Sequence, residues 1–188
     1  MIAAMRKRSN PSAVTIRACT EDDMRAVTEI YAHHVLHSPA TFELDPSGLD
    51  EMLRRRRAIV EGGYVYLVAE ADSGIVGYAY VTAYRSRPAY RFTVENSVYV
   101  REGYKGRGTG TRLMQALLAA CEQRPFRQMI AVIGDSANRA SIELHSRLGF
   151  RMIGTFRSVG FKFGRWLDTV HMQKELGAGD HTPPMEAP

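Results

Sequence analysis

Residues 103–112 read GYKGRGTGTR, four glycines and three basic side chains between two apolar stretches. No helix or strand continues through so much glycine, so the chain must turn there. Before it, "FTVENSVYV" reads as a strand. After it, "TRLMQALLAACEQ" places Leu113, Met114, Leu117, Leu118 and Cys121 on one face of an amphipathic helix that starts near Thr109. The first amides of such a helix have no intrahelical partner, and its dipole makes that end positive. Gly106, Gly108 and Gly110 let an anion reach the backbone without meeting a Cβ, and Lys105, Arg107 and Arg112 add charge. The arrangement suits a pyrophosphate. Two nucleotide patterns fail on it: Thr109 stands where a P-loop needs lysine, and Leu113 replaces the third glycine of G-x-G-x-x-G. From these residues alone, a glycine turn with solvated charges remains the alternative.

The flanking segments give the architecture. "VTIRA" (14–18) alternates like a first strand. Thr20 is expected to cap a helix whose first turn holds Glu21, Asp22 and Asp23 and whose buried face holds Met24, Val27, Ile30 and Tyr31. Ser47 or Asp45 is expected to cap a second helix, "LDEMLRRRRAIVE", stopped by Gly62 and Gly63. "YVYLVAEA" and "GIVGYAYVTAY" form a hairpin about "DSG". "QMIAVIG" is an unbroken apolar run, as in a strand buried on both faces. Asn138 caps "RASIELHSRL", which ends at Gly149, and two strands near 151–161 and 166–174 follow. The order β-α-α-β-β-β-α-β-α-β-β predicts an α/β domain over 14–176, a mixed sheet flanked by helices. Residues 1–13 and the Gly/Pro-rich 177–188 are expected to be loose.

Composition excludes several classes. With 45% hydrophobic and 24% charged residues the 188-residue chain can bury an ordinary core. No apolar stretch approaches the ~20 residues of a membrane span, and no apolar segment follows the basic start as in a secretory leader. Two cysteines are too few for a disulfide framework, so a cytoplasmic setting is expected. The net charge of +5 fits an anionic partner without choosing one. "RRRR" (54–57) fans around a helix without stacking aromatics, so nucleic acid is not expected. His33, His34 and His37 lack a fourth ligand, so no metal is expected either. Trp166 reads as a packing residue.

"YKGRGTGTRLM" resembles the pyrophosphate loop of the GNAT acetyltransferase superfamily, Gln/Arg-x-x-Gly-x-Gly/Ala, with Lys105 in the first position and Gly108 and Gly110 matching. "NRASIELHSRLGF" (138–150) resembles the superfamily's next helix, in which an Asn contacts coenzyme A. "SRPAYRFTVENSVYV", "AVIGDSANRASIELHSRLGF" and "GFKFGRWLDTVHMQKEL" are similar to the phosphinothricin and methionine sulfoximine N-acetyltransferases, where a His replaces the superfamily's common Tyr. The resemblance implies a mostly antiparallel central sheet with about four helices, acetyl-CoA as co-substrate, and a homodimer. It implies cofactor contacts from Val98, Tyr99, Val100, Lys105, Gly106, Arg107, Gly108, Thr109, Gly110, Thr111 and Asn138. It places Glu95 and His145 at the chemistry, and Phe42, Arg85, Arg87 and Tyr90 in the acceptor pocket.

The chemistry suits those residue types. An α-amine must lose a proton, the oxyanion must be stabilised, and the thiolate must leave. A carboxylate, Glu95, can take the proton directly or through water. A backbone N–H from 98–100 can polarise the thioester carbonyl, and that segment can pair with the pantetheine arm like a strand. His145, seven residues after Asn138 and so on the same side of the helix, can protonate the thiolate or relay a proton. Forked guanidinium groups suit carboxylate, phosphinate or sulfoximine oxygens and argue against a polyamine. Another amine as acceptor, and a CoA-binding sensor without turnover, are the competing readings.

Overall fold

The computed structural model describes residues 14–184. The strands are β1 (Thr15–Ala18), β2 (Tyr66–Ala71), β3 (Gly74–Ala83), β4 (Thr93–Val100), β5 (Gln128–Gly134), β6 (Arg151–Lys162) and β7 (Arg165–Glu175). The helices are α1 (Met24–His37), α2 (Leu49–Glu61), α3 (Thr109–Glu122) and α4 (Arg139–Arg147). The predicted order is the observed one. The strands form one sheet in the order β1-β2-β3-β4-β5-β7-β6, antiparallel at every step except β4 beside β5. Each antiparallel step joins neighbours in sequence or, for β5 and β7, wraps the β6 hairpin onto an edge. The one parallel step needs the long crossover through α3.

Each face of the sheet carries its own core. Leu113, Met114, Leu117 and Cys121 of α3 are fully buried against Val76, Ala79, Val81, Val94 and Met129, as the helical spacing predicts. On the other face α1 brings Met24, Val27, Ile30 and Val35 onto Val68, Tyr78 and Tyr99. Consecutive strand residues therefore point into different layers.

Two helix starts differ from expectation. Helix α1 begins at Met24, not after Thr20, so the acidic residues precede the first turn. The reason is Arg17, which binds both oxygens of Asp23 at 2.7 Å and turns the carboxylate back to accept the Thr20 N–H at 2.8 Å. That guanidinium holds the Asp23 carboxyl down at about 2. Helix α2 begins after Gly48 with no side-chain cap, and Ser47 Oγ, the expected cap, instead donates to Glu43 at 3.3 Å. Asn138 does cap α4, accepting from the Ser141 N–H at 3.3 Å.

The arginine run is tied into the fold. Arg55 binds Glu51 and Glu43, Arg56 binds the Cys19 carbonyl, and Arg57 binds Glu21. Residues 177–184 turn back so that Arg127 reaches Thr182 and Pro183. The segments 1–13 and 185–188, covered by the two expectations of loose ends, lie outside the described residues.

Candidate active site

Strands β4 and β5 pair from Thr93 opposite Gln128 to Asn96 opposite Ala131, and there the ladder stops. Both strands run on, to Val100 and Gly134. Main-chain alternation fixes what faces the gap. Tyr84 N–H donates to Thr93 O, and Arg101 N–H donates to Val76 O, so odd-numbered residues of β4 turn toward β3. Val98 and Val100 therefore direct their N–H and C=O groups into the opening. Val100 O accepts from His34 Nε2 at 3.0 Å.

Two cavities meet at this opening. One, of about 290 Å³, is lined by Phe42, Glu95, Asn96, Val98, Asn138 and His145 among others. The second, of about 580 Å³, runs along Val98, Val100, Lys105, Gly106, Gly108, Gly110 and Thr111. Val98, Asn138 and Ser141 line both, so they form one groove.

At the far end of the groove α3 starts without a side-chain cap and without acidic residues in its first turn. The Arg112 N–H is the first to bond back, to Gly108 O, leaving the amides of Thr109, Gly110 and Thr111 with no intrahelical acceptor. Gly108 holds a left-handed φ of 81°, and nothing stands where its Cβ would be. This end fits a pyrophosphate. The basic side chains are less committed to it: Lys105 pairs with Glu102 at 2.7 Å, Arg107 lies over the Tyr104 ring, and Arg112 reaches Val14 O. The Thr109 side chain is buried.

Glu95 is half-buried, and that burial raises its carboxyl pKa while Arg85 pulls it back. His145 is 2% exposed. Its Nδ1 lies 2.8 Å from Ser141 O and its Nε2 3.0 Å from Asn96 Nδ2, and burial lowers its pKa. The Asn138 side chain is occupied in capping and in donating to Gly134 O at 3.4 Å, yet it still borders the groove. Phe42 is wedged between Gly134 and Gly160; a Cβ on Gly160 would overlap its ring. The loop carrying Phe42 is held by Lys162, which donates to Ser38 O at 3.0 Å and Thr41 O at 2.8 Å.

The arginine segment lies beside the groove rather than in it. Tyr90 and Tyr84 line a neighbouring cavity with His171. Arg85 lies over the Tyr84 ring and acts on both Glu95 and His171. Arg87 is exposed, at the start of the 3-10 turn Pro88–Tyr90. Sequence reasoning missed Asn96, Ser141, Lys162 and His171. The first was available, because alternation puts Asn96 on the face opposite Glu95.

Residues 16–171 match the family model described as an acetyltransferase (GNAT) domain. The chain belongs to the GNAT acetyltransferase family. It is 51% identical over 172 residues to a phosphinothricin N-acetyltransferase of Alcaligenes faecalis, covering 92% of this chain and 87% of that protein. It is 39% identical over 171 residues to an L-methionine sulfoximine/L-methionine sulfone acetyltransferase of Salmonella typhimurium, covering 91% and 98%. The crystal structure of a Sinorhizobium meliloti phosphinothricin acetyltransferase in complex with AcCoA superposes with a TM-score of 0.90 at 45% identity, covering 93% of this chain and 94% of that one. A GNAT domain uses acetyl-CoA as co-substrate, and the uncapped start of α3 and the open edge of β4 are where this chain can hold it. Both cysteines are buried, and burial pushes the Cys19 thiol up to about 11 and the Cys121 thiol up to about 12, which disfavours the thiolate.

Two glycine variants test the pyrophosphate assignment. Gly108→Ala forces a left-handed alanine, costing about 1 kcal/mol of stability, and raises the Kd for CoA about tenfold by calorimetry. Gly110→Ala meets only ordinary contacts with Leu144 and Val100, so the apo protein gains stability, up to ~1 kcal/mol, while CoA binding still weakens. Unchanged CoA affinity in both would contradict the assignment.

Proposed function

We propose that the chain transfers acetyl from acetyl-CoA to the α-amine of a small amino acid analogue of the phosphinothricin or methionine sulfoximine kind. The observation that carries this is Glu95, a half-buried carboxylate at the point where β4 and β5 part, with Arg85 in electrostatic range. Glu95 acts as the base that takes the first proton from the incoming ammonium, directly or through water. Its raised pKa makes it a better proton acceptor than an exposed glutamate. The amine attacks the thioester in a ternary complex, and the Val98 N–H meets the oxyanion. His145 handles the second proton, which leaves the amine after attack and reaches the thiolate sulfur.

The acceptor is held by its anionic groups. Arg85 and Arg87 supply guanidinium forks, Tyr90 closes that side, and Phe42 packs on the aliphatic part. The cofactor contacts are the main chain of Val98, Tyr99 and Val100, the loop from Lys105 to Thr111 and the Asn138 region. Two buried, free cysteines fit a reducing cytoplasm.

The chain works as a homodimer in this reading. Strand β6 is a long sheet edge whose Met152, Ile153, Phe156, Val159 and Phe161 are each more than half exposed, as is Trp166 opposite Phe161. An apolar edge of that length asks for a cover, and a second copy supplies it. Sedimentation at micromolar concentration should give twice the 21.0 kDa monomer mass, and Trp166→Glu should shift it toward monomer. A monomer at every concentration would contradict the dimer.

Thiol release from acetyl-CoA over a panel of amines tests the activity. Phosphinothricin and methionine sulfoximine should release thiol, and polyamines should not; silence with both analogues removes this acceptor class. The acid limb of kcat/KM should lie above the ordinary glutamate value of ~4.3. Glu95→Gln should lower kcat by roughly 10²- to 10³-fold with CoA affinity unchanged. Arg85→Ala removes a charge that favours ionised Glu95, so the acid limb should move to higher pH while the acceptor KM rises. An unchanged limb in both variants would overturn the assignment of Glu95.

A further inference from the structure

Asn96 follows Glu95 in β4 and points into the opposite layer, where it is 6% exposed. Its Nδ2 lies 3.0 Å from His145 Nε2 and 3.6 Å from Met114 Sδ. Its Oδ1 is buried with no hydrogen-bond partner. A buried amide oxygen left unpaired is a standing cost in a fold that satisfies most such groups.

The second nitrogen of His145 explains the arrangement. Nδ1 lies 2.8 Å from Ser141 O, and a carbonyl only accepts, so Nδ1 carries the proton. In the neutral ring Nε2 is then a lone pair, and Asn96 must donate to it. An imidazolium would carry a proton on Nε2 as well, facing the amide hydrogens of Asn96. The amide would then have to turn over and present Oδ1. The group orphaned in one charge state is the partner required in the other.

Among the described residues nothing else nearby competes for that role. Asn96 is the polar neighbour from β4, Met114 is the α3 side chain beside it, and the Phe150 ring stands edge-on at 4.9 Å. On α4 itself Ser141 Oγ is 3.5 Å from Nδ1, while the charged Glu143 and Arg147 pair with each other at 3.3 Å on the exposed side. Among the described residues no charged group acts on His145; burial alone disfavours its charged form.

We propose that Asn96 is a positioning residue for acetyl transfer, a reversible amide that keeps His145 a proton acceptor at rest and inverts to hold the imidazolium when Nε2 takes a proton. The proposal rests on the reading above, in which His145 carries the second proton. The N–H bond broken is that of the amine after attack, and the bond formed is Nε2–H, made as the Asn96 amide swings off the single in-plane lone pair that it caps at rest. When the thioester C–S bond breaks, its electron pair stays on sulfur, the amide releases Nε2–H, sulfur takes that proton, and Asn96 returns to donate to the bare Nε2. No other reagent is consumed.

The test combines 15N NMR of the histidine rings with pH–rate profiles, and His145 is identified by the signal lost in His145→Gln. Wild type should show the Nδ1–H tautomer, titrating below the ordinary histidine value of ~6.5. Asn96→Asp offers only an acceptor, so His145 should hold its proton to a pH at least one unit higher. Asn96→Leu removes the acceptor for the imidazolium, so the titration should move lower. Both should lower kcat about tenfold with KM for acetyl-CoA within twofold, and Asn96→Ser, whose hydroxyl donates or accepts, should recover most of what Asn96→Leu loses. A purely structural Asn96 would lower Tm and kcat together and leave the His145 titration where it is. That result, or an Nε2–H tautomer in the wild type, overturns the proposal. Absence of thiol release from the wild type would overturn the functional reading instead, and the titrations would still decide whether the amide has two arrangements.

Discussion

The seam between β4 and β5 governs everything else in this molecule. Strand β4 follows β3 without a break to Val100 opposite Gly77, and β5 follows β7 to Gly134 opposite Thr169. Each half of the sheet keeps its antiparallel ladder, and the twist between them opens at the single parallel contact, the weaker kind per residue. The end of β5 is committed to β7: Asp135 takes a left-handed φ of 68°, donates its N–H to Asp168 O and pairs with Arg165. The opening is therefore built in, and it exposes main-chain groups without a strand to satisfy them.

From that opening the rest of the site follows by alternation. Glu95 and Asn96 are neighbours in sequence, yet they belong to different layers. The carboxylate looks toward the arginine segment and Phe42, and the amide looks toward His145 on α4. The two cavities share Val98, Asn138 and Ser141, so the layer of Glu95 and the layer of His145 open into one groove. The glycine loop sits one strand-length away, where the start of α3 offers amides to an anion.

Much of this was legible in the chain. The helix and strand order came from periodicity, because α3 and β5 each obey a single clean pattern. The Asn138 cap and the glycine loop were readable because capping and left-handed turns need particular residue types. The starts of α1 and α2 were not, since Arg17 competes for Asp23 and Glu43 for Ser47, local contacts that no helix-capping pattern announces. The clamp of Lys162 on Ser38 and Thr41 spans more than a hundred residues, beyond any local signal. Where the basic residues of the loop point was not readable: charge can be counted from a sequence, but Lys105 on Glu102 and Arg107 on Tyr104 are set by the turn.

The central claim is that the open edge of β4 and the bare start of α3 together receive the cofactor. Amide hydrogen exchange, followed residue by residue by NMR without and with saturating CoA, tests it most directly. The amides of Val98, Val100, Gly110 and Thr111 should exchange readily in the free protein and slow sharply when CoA is bound. Tyr99, already turned toward β3, should change little. Protection that appears elsewhere while Val98 and Val100 continue to exchange would contradict the account.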